Sequence, residues 1–200
     1  MARVRKASSI RQVGRAPWLA VLAGVVLCGA LFARRAPDDS TREELLAAAR
    51  AVIAADPIGA LVTVDGAGYA RIRSVEVRAP DSDDEQFVLW IATQPRTRKV
   101  GQLEANPKVA LYFESDDEGA YLSVSGLATV HRDEATARRV SWRDDEARAG
   151  FWPDFPNDYV LIRVQPRWLE VIGFGIEADE RSWRPQRVDF EPPEPRPDPR

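Results

Sequence analysis

The sequence predicts a mainly β (α+β) domain: a small antiparallel barrel of six to seven strands with a few short helices, preceded by one transmembrane or signal helix. Three observations predict it. Short apolar, β-branched-rich runs recur from residue 58 to residue 174, and most are joined by turns too short for a parallel crossover. Helical periodicity is confined to brief stretches near residues 45, 100 and 140. Residues 16–33 (APWLAVLAGVVLCGALFA) carry no charge, and Arg34 and Arg35 follow at once.

At the amino end, five basic residues (Arg3, Arg5, Lys6, Arg11, Arg15) and no acid precede the apolar run, with Trp18 near its start. That asymmetry predicts a signal anchor with its amino end in the cytoplasm and the domain outside, or a secreted or periplasmic protein if the segment is cleaved. Three regions follow from this reading: residues 1–35 as basic region and anchor, 36–178 as the barrel domain, and 179–200 as a Pro-rich tail, extended and outside the core.

Within the domain, Ser40 to Glu43 has capping-box spacing, opening a helix through Leu45, Leu46, Ala49, Val52 and Ile53 that Asp56-Pro57 ends. Strands at 58–64 and 69–78 flank the turn Asp65-Gly66-Ala67-Gly68 as a hairpin. The acidic loop 80–86 leads to a buried strand at 87–92, and residues 93–107 hold a short helix with Val100 and Leu103 on its face. Strands at 109–114 and 120–131, a helix from Asp133 to about Ala149, an aromatic loop at 150–157 and a strand pair at 159–164 and 168–174 complete the body.

Composition excludes several chemistries. Of 28 basic residues five lie before residue 34, leaving 23 against 31 acids, a balance unsuited to a nucleic-acid backbone. One Cys (Cys28) and one His (His131) rule out a disulfide framework, a zinc finger and a Cys/His nucleophile pair. The acidic runs at 81–85 and 116–118 read as solvated turns, so no metal is expected. His131 reads as an edge residue rather than an axial haem ligand, and the Phe151–Phe155 loop as a plug for the barrel end.

The most informative stretch is Thr93-Gln94-Pro95-Arg96-Thr97-Arg98-Lys99, between a strand and a helix start. Free backbone N–H groups, the positive end of the helix dipole, and the Thr97, Arg98 and Lys99 donors suit a phosphate. On the second strand Arg71 and Arg73 share one face with Val75 and Val77; facing a barrel interior or a dimer seam, two guanidiniums call for an anion, the alternative being that both basic clusters are solvated surface charge.

The order of these pieces is a hairpin with R-x-V in its second strand, a strand ending in Thr, T-R-K-x-x-Q-L-x-x-N-P, Val-Ala-Leu-Tyr-Phe, then Val-Ser-Gly-Leu-Ala. It resembles, over roughly residues 41–174, the FMN-binding split β-barrel superfamily, the pyridoxamine 5′-phosphate oxidase-like group and its general stress protein branch. The resemblance implies that Arg73, Thr97, Arg98 and Lys99 hold the FMN phosphate. Ser74 and Val75, with Ala92 and Thr93, are implied to contact the isoalloxazine, and Tyr121 falls where the oxidases place a polar residue from the opposite subunit. A homodimer with flavin at its interface is therefore implied, performing hydride or electron transfer on an unknown substrate. F420 and haem are the alternative cofactors, and a non-catalytic binding module (flavin carrier or haem binder) the alternative role. The segment Glu180 to Pro185 lacks the basic motif of the true oxidases, and Glu170-Val171-Ile172 replaces the Glu-x-Trp of many stress-protein relatives, so a true pyridoxamine phosphate oxidase is not expected.

Overall fold

The computed structural model describes residues 40–116, 119–140 and 145–190. The amino-terminal anchor expected at 16–33 lies outside the described residues, as does the tail beyond 190; among the described residues no helix is long and apolar enough to cross a membrane.

Helix α1 (Arg42–Ala55) starts one residue later than the capping-box spacing suggested. Thr41, not Ser40, is the N-cap, and Glu44 rather than Glu43 closes the box: the Glu44 N–H donates to Thr41 Oγ1 at 3.2 Å, while the Thr41 N–H donates to the Glu44 carboxylate at 2.7 Å. The slip by one places Leu45, Leu46, Ala49, Val52 and Ile53 on one buried stripe.

Strands β1 (Ile58–Val64) and β2 (Ala70–Glu76) form the expected hairpin, in register from Ile58 opposite Glu76 to Val64 opposite Ala70. Then come β3 (Leu89–Thr93), α2 (Arg98–Ala105), β4 (Lys108–Ser115) and β5 (Ala120–His131). The single helix expected from 133 to 149 is two, α3 (Glu134–Val140) and α4 (Asp145–Phe151). The strand pair expected at 159–174 is one strand, β6 (Val160–Ile172), which runs straight through Pro166. A bulge in β6 at Arg167, where the register shifts opposite Ser125 and Gly126, accommodates the imino acid, and Gly126 faces Pro166 so closely that a Cβ there would sit 2.3 Å from the Gln165 carbonyl oxygen. A last strand, β7 (Gln186–Asp189), falls inside the stretch read as a tail and pairs with β6; Val188 and Phe190 bury themselves on the core, so the packed body reaches residue 190.

The sheet is antiparallel throughout, in the order β2-β1-β4-β5-β6-β3, with β7 added along β6. Its two ends meet at one bridge, where the Arg78 N–H donates to the Trp90 carbonyl at 2.9 Å, so the sheet curls into a barrel joined there. Alternation along β1, β4 and β5 sends Leu61, Leu111, Phe113, Leu122 and Val124 inward, and α1 covers the same core. A second, smaller cluster gathers Trp152, Tyr159 and Leu161 beneath α3.

Candidate functional site

The site begins with a turn of chain that its own side chains do not cap. Thr97 precedes α2 in extended conformation (φ −72°, ψ 143°), yet its hydroxyl donates back to the Gln94 carbonyl at 2.9 Å and makes no cap hydrogen bond to the helix. The leading N–H groups of α2 are therefore left without a side-chain acceptor. No acid stands in the first turn; Arg98 and Lys99 stand there instead, against the helix dipole.

Arg73 reaches the same place from β2. Its Nη1 donates to Thr63 Oγ1 at 2.6 Å and to the Leu61 carbonyl at 3.3 Å, and its Nη2 donates to Gln102 Oε1 at 3.0 Å. The fully buried Thr63 hydroxyl in turn donates to Gln102 Oε1 at 2.6 Å. This triangle of Arg73, Thr63 and Gln102 ties β1 and β2 to α2 and fixes the guanidinium beside the helix start.

Together these residues wall a groove of about 870 Å³, lined by Arg73, Thr97, Arg98, Lys99 and Gln102 with Arg71, Arg96 and Asp65 at its margin. Burial, and then the nearby Arg98 charge, push the Arg73 guanidinium below its ordinary value; burial, and then Arg73, do the same to Lys99. Both shifts have the sign of cations held close together with too little opposing charge. Among the described residues no ion pair joins Arg73, Arg98 or Lys99 to a carboxylate. Arg71 differs: it pairs with Asp65 at 2.6 Å, and the Tyr69 N–H, then Arg71, hold that carboxylate below the usual range. The anion that the sequence called for at Arg71 is thus supplied partly from within the hairpin.

Of the residues expected at the site, Arg73, Thr97, Arg98 and Lys99 are brought into this one groove. Thr93 is buried next to it, with its hydroxyl 3.4 Å from that of Thr97. Ser74 projects from the other face of β2, into a second groove of about 590 Å³ that Tyr112, Glu114 and Asp56 also line. Tyr121 stacks on Tyr112 at 5.7 Å between ring centroids. The side chain of Val75 is in the core and that of Ala92 packs on the Trp152 cluster, so these two can offer a ligand only backbone. Sequence reading missed Thr63, and it noted Gln102 only as the Q of the T-R-K-x-x-Q-L motif, without a role. A hydroxyl inside the apolar run Leu61-Val62-Thr63-Val64 and an amide one helical turn after Arg98 were the available signals.

His131 lies away from the groove, its ring 5.5 Å from that of Trp90 and its Nδ1 3.9 Å from Asp133. Its Nε2 is buried without a partner, which does not present it to a ligand in solvent. The aromatic loop does not plug the barrel end as expected but packs with α3 on the outer face of β3 and β6: Trp152 is buried edge-on against Tyr159 at 4.9 Å in a cluster with Leu161, Trp90 and Ala92, and Phe155 lies against the guanidiniums of Arg138 and Arg148. Among the described residues no group of acids, His and Cys has metal-binding geometry.

Comparison with known proteins agrees with this architecture. Residues 45–173 match the family described as pyridoxamine 5′-phosphate oxidase. A pyridoxine/pyridoxamine 5′-phosphate oxidase from Rhodopseudomonas palustris (strain HaA2) is 30% identical over 143 residues; the match covers 66% of this chain and 65% of that relative, so the chain spans just under two thirds of its length. Among solved structures, a Clostridium acetobutylicum protein related to general stress protein 26 superposes with a TM-score of 0.59 at 20% identity, covering 74% of this chain and 96% of the other. A pyridoxamine 5′-phosphate oxidase-related, FMN-binding protein from Nostoc punctiforme PCC 73102 gives 0.50 at 16% identity, over 74% and 93%. A heme-binding protein from Mycobacterium smegmatis gives 0.53 at 17% identity, over 75% and 58%. These structural likenesses show a common fold.

Proposed function

The chain belongs to the pyridoxamine 5′-phosphate oxidase family, and from that premise we propose that it binds FMN and serves as a flavin-dependent oxidoreductase of the general stress protein type, acting on a substrate other than a pyridoxine phosphate. The observation that carries this reading is the uncapped start of α2, where Arg73 and Lys99, both half-buried and both short of counter-charge, flank Thr97. An FMN phosphate is the dianion such a site fits: the α2 N–H groups and the Thr97 hydroxyl would donate to its oxygens, with Arg73, Arg98 and Lys99 neutralising it. The Thr63–Gln102 pair holds Arg73 in position before any ligand arrives, so little ordering entropy is lost on binding. When bound, FMN supplies the hydride or electron chemistry. The chain's part is to orient the ring along the backbone of Ser74, Val75 and Thr93 and to keep the phosphate desolvated.

A second copy of the chain completes this reading. Ile58, Ile72 and Tyr112 are exposed on the outer faces of β1, β2 and β4, and Tyr121 on neighbouring β5 stacks on Tyr112. An apolar sheet face of this kind suits a dimer seam, with Tyr121 positioned to serve a partner's flavin. The haem alternative has less support, because His131 is packed against Trp90.

The test is flavin retention. The purified chain is expected to carry or take up FMN with flavin absorbance, and the Arg98→Ala/Lys99→Ala double variant to lose it while the apo-protein unfolds at nearly the same temperature, since Arg98 is exposed and neither cation has an ion pair among the described residues to lose. Equal flavin content in variant and parent would refute the site. A colourless dimer that takes up no added FMN would favour the binding-module role.

A further inference from the structure

The groove holds more positive charge than one phosphate monoester balances. Five cations line it, Arg71, Arg73, Arg96, Arg98 and Lys99, with Asp65 as the one carboxylate among its lining residues. A net charge of four therefore faces a group that brings at most two negatives. The surplus is also placed unevenly. Arg73 and Lys99 are half-buried at the helix start, whereas Arg71, two residues nearer the hairpin tip, and Arg96, on the loop before α2, are exposed on the groove margin.

Arg71 is fixed there rather than free to swing. Its Nε and Nη2 both meet a single oxygen of Asp65, Oδ2, at 2.6 Å. The other oxygen, Oδ1, is anchored by the Ala67 and Tyr69 N–H groups at 2.9 and 3.0 Å. The carboxylate is thus part of the turn, and it holds the guanidinium on the groove wall with Nη1 outside the ion pair. Arg96 has no hydrogen bond or ion pair to a described residue. A guanidinium held by a turn and a second one left unpaired, both exposed and both lining the same anion groove, offer a further anion two donors beyond the inner position.

We propose that the groove accepts a diphosphate: the inner phosphate at Arg73, Thr97 and Lys99, the outer one between Arg71 and Arg96. The groove that takes the FMN phosphate at its inner position then also takes a ligand that continues past that phosphate, as in a flavin dinucleotide or another nucleoside diphosphate. This deepens the phosphate-site reading given above and rests on it.

The experiment titrates the apo form of the full chain calorimetrically with inorganic phosphate and with pyrophosphate, then with FMN, FAD and ADP. Pyrophosphate is expected to bind at least about tenfold more tightly than phosphate. In the Arg71→Ala/Arg96→Ala variant that advantage disappears while phosphate affinity stays within about twofold, because both residues are exposed and outside the inner position. An Arg132→Ala/Arg138→Ala variant, which removes two exposed guanidiniums elsewhere, keeps the advantage and so separates a local site from general electrostatic attraction. FAD binding more tightly than FMN with weak ADP identifies a flavin dinucleotide; ADP binding as tightly as FAD identifies the nucleotide alone, and either result supports the diphosphate. Equal affinity for the two inorganic probes, or a double variant that weakens both alike, overturns the inference. If FMN binds in that case, the phosphate-site reading survives; if neither FMN nor either probe binds, both fail.

Discussion

The helix starts at Thr41 and Thr97 use the same residue type in nearly the same extended conformation, φ −70° and −72°, and are then completed in opposite ways. At α1 the threonine side chain and Glu44 satisfy each other's backbone N–H groups, and Glu43 and Glu44 complement the dipole. At α2 the threonine hydroxyl is turned back into the loop, and the first turn carries two cations that raise the local positive potential. The first arrangement is complete in itself. The second is stable only as part of a larger fold, and it becomes electrostatically balanced when an external anion arrives. The contrast separates a terminus built for stability from one built for binding, using chemistry already present in the chain.

The largest effect should come from giving α2 the charges of α1. Arg98→Glu with Lys99→Glu is expected to weaken FMN binding by at least about a thousandfold, roughly 4 kcal/mol, while the apo-protein melts at the same or a higher temperature. A flavin titration beside a thermal melt checks both halves, and retained affinity would break the comparison. Next, Leu46→Ala removes a fully packed side chain from α1 and should cost about 3 kcal/mol in denaturant unfolding. Smaller again is Thr41→Ala, which loses the capping box and should cost about 1 kcal/mol without changing flavin affinity. Thr97→Ala should do the reverse, weakening flavin while leaving unfolding nearly unmoved, because no cap bond is lost.

The pH dependence sharpens the same point at the smallest scale. Lys99 has a folded-state pKa below its unfolded value, so between those two values the unfolded chain binds more protons and apo stability rises with pH. Replacing the lysine with Met should raise apo stability at neutral pH and flatten that rise, as followed by melts across alkaline pH. FMN affinity should move oppositely. It should strengthen as the phosphate completes its second ionisation near ~6 and weaken again as Lys99 loses its proton, earlier than an ordinary lysine would.

How much of this was legible in the sequence varied with how local the cause was. The hairpin turn at Asp65–Gly68 and the stop at Asn106-Pro107 announce themselves in adjacent residues, and the Thr97-Arg98-Lys99 triplet lies next to the strand end that positions it. The single long β6 did not, because Pro166 looks like a strand breaker until the bulge beside it at Arg167 and the side-chain-free Gly126 opposite it, forty residues earlier in the chain, are seen together. β7 was hidden by its Pro-rich surroundings; Val188 and Phe190 contribute to the core only because α1 and β6 offer a seat. Thr63 and Gln102 are each ordinary in their own element, and their role exists only where Arg73 crosses between them.

The most direct measurement is the affinity of the apo-protein for FMN against riboflavin, which differ only in the phosphate. If the start of α2 with Arg73 and Lys99 is a phosphate site, FMN binds at least about a hundredfold more tightly, some 2.7 kcal/mol, within the range of one or two charge-assisted hydrogen bonds. Riboflavin binding as tightly as FMN would contradict the account, because the groove's positive charge would then have no part in holding the flavin.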